Sequence, residues 1–171
     1  MTSEQGSFLL ETVLPSLERE HGLTRKMIEA LPPDQGSYRP AENSMSAMDL
    51  AWHIAASENM FLAGVAAGSF EFGGKRPDSV QTTADVAKWY CETFAGNLAK
   101  IRQLTGEQLT QPVDFRGMFQ WPAVSFLQFA MNHSIHHRGQ LSVYLRPMGA
   151  KVPSVYGFSY DESPARKAAQ Q

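Results

Sequence analysis

Asn132-His133-Ser134-Ile135-His136-His137-Arg138-Gly139-Gln140 sits inside residues 122–146, a run with no internal proline after Pro122. Phe126, Ala130, His133, His137, Leu141 and Tyr144 recur there at steps of three and four, the spacing of one buried helix face. Two imidazoles one turn apart on that face can converge on a single point, and a facing helix can bring a third ligand to it. At about 100° per residue, His136 falls toward the flank of the stripe and reads as surface or pocket edge. Gln140 continues the stripe and makes the face polar for two turns. A polar patch directed at a core needs partners, or it costs stability.

The remainder of the chain bounds what such a patch can belong to. A length of 171 residues suits one domain with a sizeable core. The chain is 43% hydrophobic and 19% charged, with a net charge of -2. That balance gives no electrostatic case for nucleic acid, and no basic cluster is visible. The lone Cys91 excludes an intramolecular disulfide, fits a reducing compartment, and reads as a small helix-packing residue. There is no charged-then-apolar leader and no apolar run long enough to span a membrane. The expectation is a cytoplasmic protein.

Four amphipathic segments can be placed along the chain. The first spans about residues 5–31, with Leu10, Leu14, Leu17, His21, Ile28 and Leu31 on one face. Pro15 either kinks it or marks its true first turn, and Leu31-Pro32-Pro33 ends it. Glu18-x-x-His21 has the form of one half of a di-iron site, but no second Glu-x-x-His exists and the di-iron reading fails. His21 is then a core histidine or a pocket-lining group. A second helix starts near Ser46, where Ser46-x-x-Asp49 resembles a capping box, and runs to about Gly68. His53 lies at the edge of its apolar face, beside Leu50, Ser57, Met60 and Gly64. A third starts near Thr82 or Thr83 with Asp85 in its first turn, buries Val86, Tyr90, Phe94, Leu98 and Ile101, and is stopped by Gly106. Residues 107–121 read as an irregular connection. Pro122 fits the first turn of the fourth helix, which Pro147 and Gly149 end. In the tail, Tyr156, Phe158 and Tyr160 point to packing against the body, with the last residues fraying.

Four long helices and little else imply an all-α fold, a four-helix bundle. His53, His133 and His137 then face inward from two helices. Three neutral imidazoles suit zinc, nickel, iron or copper and leave coordination positions open, as a catalytic or substrate-binding site requires. Such a metal lowers the pKa of a bound water or thiol, or polarises a carbonyl. Ser134 stands where the His-Glu-x-x-His motif needs its glutamate, and no other carboxylate is placed as a general base.

The chain resembles the DinB (YfiT-like) family of metal-dependent helical bundles. The resemblance rests on Tyr38-Arg39-Pro40, Ser44-Met45-Ser46, Leu50-Ala51-Trp52-His53-Ile54 and Asn132 to Gln140. It continues through Tyr144-Leu145-Arg146, Gly149, Val152-Pro153, Tyr156-Gly157 and Asp161-Glu162. It implies one DinB-like domain over residues 1–171, an up-down-down-up bundle with an irregular tail packed on the body, and frequent homodimers. It also implies a divalent metal (zinc, nickel or iron) held by His53, His133 and His137. Members of the family include bacillithiol transferases and mycothiol-dependent isomerases, in which the metal activates a low-molecular-weight thiol. Others are described as damage-inducible proteins or hydrolases. The expected activity is therefore a thiol-S-transferase acting on an electrophilic small molecule, in stress response or detoxification. A hydrolase using metal-bound water and a non-catalytic metal or small-molecule binding protein are the alternatives. Arg138 reads as surface or helix-end charge, Gln140 as a hydrogen-bonding partner that orients a histidine, and Tyr144 as core.

Overall fold

The computed structural model describes residues 1–164. Among them the chain is mainly helical, with α1 (Ser3–Glu29), α2 (Ala47–Ala67), α3 (Thr83–Ile101), a short α4 (Gly106–Thr110) and α5 (Ser125–Leu145). Two strands, β1 (Pro112–Phe115) and β2 (Phe119–Pro122), form an antiparallel hairpin between α4 and α5.

Local chemistry explains most of the boundaries. The Thr2 hydroxyl accepts the Gln5 N–H while the Gln5 side chain accepts the Thr2 N–H, so α1 begins on a reciprocal cap. Pro15 lies within α1, which runs through it. Ser46 caps α2 by accepting the Asp49 N–H, as the sequence predicts, and Gly68 ends α2 in a left-handed conformation (φ 72°) that glycine adopts without a Cβ penalty. Thr82 and Asp85 form the cap of α3.

The expectations for the next segment need correction. Gly106 does not stop α3, which ends at Ile101; it opens α4, whose cap is Thr105 with Gln108. Here α4 lies against the first turns of α1. A Cβ on Gly6 would meet Thr110 Cγ2 at 2.7 Å and the Gly106 carbonyl oxygen at 2.9 Å. Residues 107–121 are not irregular, because Val113 pairs with Trp121 and Phe115 with Phe119 across a turn where Arg116 and Gly117 both have positive φ. Pro122 closes β2, and the last long helix begins three residues later, at Ser125. The tail packs on the body as expected, through Ala150, Val152, Val155 and the Tyr156 hydroxyl, although the rings of Tyr156, Phe158 and Tyr160 are themselves largely exposed. The expected fraying of the last residues concerns 165–171, outside the described residues.

The core has two apolar clusters. One gathers Met27 and Ile28 from the end of α1, Leu50 and Ile54 from the start of α2, Val86 and Tyr90 from the start of α3, and Leu141 and Leu145 from the end of α5. The other gathers Leu10 and Leu17, Phe61 and Leu62, Phe94 and Leu98, and Leu127 and Ala130 from the opposite ends of the same helices. Between these stretches three of the long helices carry buried polar residues, namely Glu20, His21 and Thr24 on α1, Glu58 and Asn59 on α2, and Ser134 and Arg138 on α5, while α3 directs the Tyr90 hydroxyl to Glu58 and buries Asn97 within its second stretch. Contacts run between α2 and both α3 and α5, and between α1 and both α3 and α5.

Candidate metal centre

His53 comes from the second turn of α2, and His133 and His137 from successive turns of the facing α5. Each offers one ring nitrogen, and the three atoms lie within 4.8 Å of one another. The Nε2 atoms of His53 and His137 are 3.1 Å apart. Two imidazole nitrogens at that distance can share one proton or one ion but cannot both carry a proton. The three residues are half-buried, in the seam between α2 and α5. Among the described residues, no other set of three such side chains is close enough to hold a metal ion.

The electrostatics favour lone pairs over protons. Burial pushes the His133 imidazole down to about 4, and the nearby His137, His53 and His136 push it the same way. Burial, then His137, lowers His53 as well. His137 Nδ1 lies 2.6 Å from Gln140 Oε1. An amide oxygen only accepts, so Nδ1 carries the proton and Nε2 presents its lone pair to the cluster. His133 Nδ1 is buried with no hydrogen-bond partner, although nearly all buried polar atoms have one. Three converging imidazoles, one of them with a buried nitrogen that no protein group satisfies, are a donor set that fits a divalent cation.

The surrounding positions differ from expectation in part. His136 is exposed, its ring 4.8 Å from that of His137, at the edge of the site. Gln140 is exposed but orients His137, as expected. The buried stripe of α5 does contain Phe126, Ala130, Leu141 and Tyr144, but between them its centre passes through Ser134 and Arg138, with the histidines on its flank. Arg138 is therefore no surface charge. It is 3% exposed, with Nη2 2.8 Å from Glu20 Oε2 and Nη1 donating to Thr24 Oγ1 and the Glu20 carbonyl. The Tyr156 hydroxyl, 2.6 Å from the same Glu20 oxygen, ties the tail to this pair. Tyr144 is core, its hydroxyl donating to the Met45 carbonyl. His21 is core too, stacked on Phe94, with Nδ1 2.9 Å from Glu58 Oε1.

Glu58 is the group that sequence reasoning missed. It is fully buried, and its oxygens meet one side chain from each of the other three long helices. Oε1 takes His21 Nδ1 of α1 at 2.9 Å and the Tyr90 hydroxyl of α3 at 2.6 Å; Oε2 takes the Ser134 hydroxyl of α5 at 2.6 Å. The signal was present in the sequence: Ile54, Glu58, Phe61 and Val65 form a stripe with a carboxylate in an apolar position. Both oxygens are engaged, so Glu58 is not a free base for the histidine site.

A cavity of about 940 Å³, lined by Trp52, Trp89 and residues of the 71–77 segment, opens along α2 and α3; none of the three histidines lines it. Cys91 is half-buried on α3, and burial raises its thiol pKa.

The chain is 37% identical over 130 residues to the uncharacterised protein YjoA of Bacillus subtilis, covering 74% of this chain and 82% of that one. The crystal structure of that DinB-like protein superposes with a TM-score of 0.71 at 33% identity, over 84% of this chain and 97% of the other. A DinB-like protein from Bacillus cereus gives 0.73 at 29% identity, over 86% and 97%. A mutant of the mycothiol-dependent maleylpyruvate isomerase gives 0.55 at 11% identity, over 91% and 66%, a likeness of fold alone. The DinB family profile matches residues 2–168, and the chain belongs to the DinB family.

Proposed function

We propose that His53, His133 and His137 hold a divalent metal ion (zinc, nickel or iron), and that the protein is a metal-dependent enzyme transferring a low-molecular-weight thiol to an electrophilic small molecule. The observation that carries this reading is the convergence of three half-buried imidazoles, one ring nitrogen from each within 4.8 Å of the others, with a buried unpartnered nitrogen on His133. When bound there, the ion supplies Lewis acidity that favours the ionised form of a thiol at neutral pH. The three histidines bind it, Gln140 fixes the tautomer and ring plane of His137, and the Phe61 ring, centred 5.9 Å from that of His133, makes an apolar wall. In the transfer the sulfur forms a bond to the electrophilic carbon, the leaving group departs with the electron pair of the broken bond, and the thiol proton passes to solvent.

One feature favours thiol transfer over hydrolysis: metal-bound water is commonly assisted by a free carboxylate base, and Glu58, behind the site, has both oxygens engaged. The thiol comes from outside the chain, because the lone Cys91 lies on α3. The name of the structurally similar mycothiol-dependent isomerase points to the same class of co-substrate. We also infer an up-down-down-up bundle. It is supported by the order in which the helices traverse the two core clusters, the same for α1 and α5 and reversed for α2 and α3. Parallel α2 and α3 need the long 68–82 connection to return the chain along the body. A cytoplasmic homodimer completes the proposal. No helix among the described residues is long and apolar enough to cross a membrane, and exposed Phe8 and Leu9 offer apolar contact area on α1.

The test is metal content by mass spectrometry of purified protein and a His53→Ala variant, followed by transfer to monochlorobimane with bacillithiol, mycothiol or no thiol. Near-stoichiometric metal lost in the variant, with thiol-dependent turnover lost alongside it, is the expected result. Turnover that ignores the thiol would move the reading to hydrolysis. Normal turnover by His133→Ala would remove the catalytic role of the centre.

A further inference from the structure

The three histidines bridge α2 and α5 on the open side of their seam, and Glu58 and Ser134 bridge the same two helices on its core side. Ser134 follows His133 by one residue and precedes His137 by three, about 100° and 60° around α5 from them. Glu58 follows His53 by five residues, about 140° around α2. Two bridges on opposite sides of one seam fix both the separation of the helices and their rotation. The inner bridge is short, 2.6 Å between Ser134 Oγ and Glu58 Oε2, and charge-assisted. Glu58 cannot swing to follow a displaced serine, because its other oxygen is pinned by His21 and Tyr90.

We propose that Glu58 and Ser134 are positioning residues for the three-histidine centre: their hydrogen bond sets the spacing and rotation of α2 against α5, and so the geometry offered to the ion, without either side chain touching it. The inference rests on the metal-centre reading. Metal–ligand distances keep within about 0.2 Å of their standard values, so a small relaxation of the seam changes coordination while the apolar clusters hold the fold.

The test uses cobalt(II) added to the metal-free full chain, read by titration and by its visible d–d absorption, with thermal unfolding in parallel. Ser134→Ala removes the inner bridge. Tyr90→Phe removes one hydrogen bond from the same carboxylate but leaves the α2–α5 seam bridged, so it reports what a purely structural loss does. Ser134→Ala is expected to weaken cobalt binding about tenfold, in the range typical of groups that orient ligands, and to alter the absorption envelope. Glu58→Gln, which keeps the shape but removes the charge from the bond, is expected to weaken binding in the same direction and serves if Ser134→Ala folds poorly. Tyr90→Phe is expected to stay within about twofold with an unchanged spectrum, even where its melting temperature falls. Wild-type affinity and spectrum in Ser134→Ala, or an equal loss in Tyr90→Phe, would overturn the positioning role and leave the metal-centre reading standing. Failure of the wild-type chain to bind cobalt would overturn both.

Discussion

Gln140 is exposed, yet it determines which nitrogen of His137 faces the cluster. Gln140→Ala frees the ring to change tautomer and rotate, so divalent-metal affinity is expected to fall about 10- to 100-fold with little change in melting temperature. Competition titration against a chelating dye measures it. His133 makes a pH prediction for the metal-free protein. Its imidazole is held at about 4 in the fold, against about 6.5 in the unfolded chain. Between those values the unfolded state binds more protons, so this group's contribution is fully present above pH ~6.5, falls as pH drops toward ~4, and levels off below. Urea midpoints at pH 7, 5 and 4 should show that fall, and His133→Asn should flatten it; an identical slope in the variant would place its origin elsewhere. Arg138→Met leaves Glu20 buried with its guanidinium partner gone, and about 3–5 kcal/mol of unfolding free energy should be lost in denaturant titration. The spacing of His133 and His137 was only a weak signal, since two histidines four apart recur by chance; their grouping with His53 was legible through the resemblance of the surrounding motifs to the DinB family. Arg138 and Ser134 were not, because a stripe through His133 and its neighbour through Ser134 are about 100° apart and share their apolar ends at Ala130 and Leu141.

Among the elements, the starts of α2 and α3 were legible nearly to the residue because Ser46 with Asp49 and Thr82 with Asp85 write them in side-chain chemistry. The hairpin was not. Strands of four residues place only two side chains on each face, too few for any period to recur, and Pro122 is equally suited to close an edge strand or open a helix. Gly106 misled for a related reason: a glycine after a helix reads as a stop, whereas its neighbours here are the first turns of α1. That close approach is testable. Gly6→Ala drives a methyl group toward Thr110 and the Gly106 carbonyl oxygen, and calorimetry is expected to show a loss of about 1–3 kcal/mol. An unchanged melting temperature would mean that α4 rests loosely on α1.

For the whole molecule, a centre assembled from two helices links ligand binding to folding. A divalent ion present at 100 times its dissociation constant should add about 2.7 kcal/mol to the unfolding free energy, read as a rise in melting temperature that a chelator reverses and that His53→Ala abolishes. The layered interior has another consequence. Apolar residues alone specify a packed body loosely, since a leucine stripe displaced along its axis by one turn, about 5.4 Å, still meets leucines. A carboxylate satisfied by one donor from each of three other helices allows no such slippage. Any one helix shifted by a turn would withdraw its partner and leave the buried carboxylate short of a hydrogen bond, at a cost of about 1–3 kcal/mol. Glu58 thus acts as a vernier for the assembly: oily surfaces bring the helices together, and one ion selects the single alignment in which they come to rest.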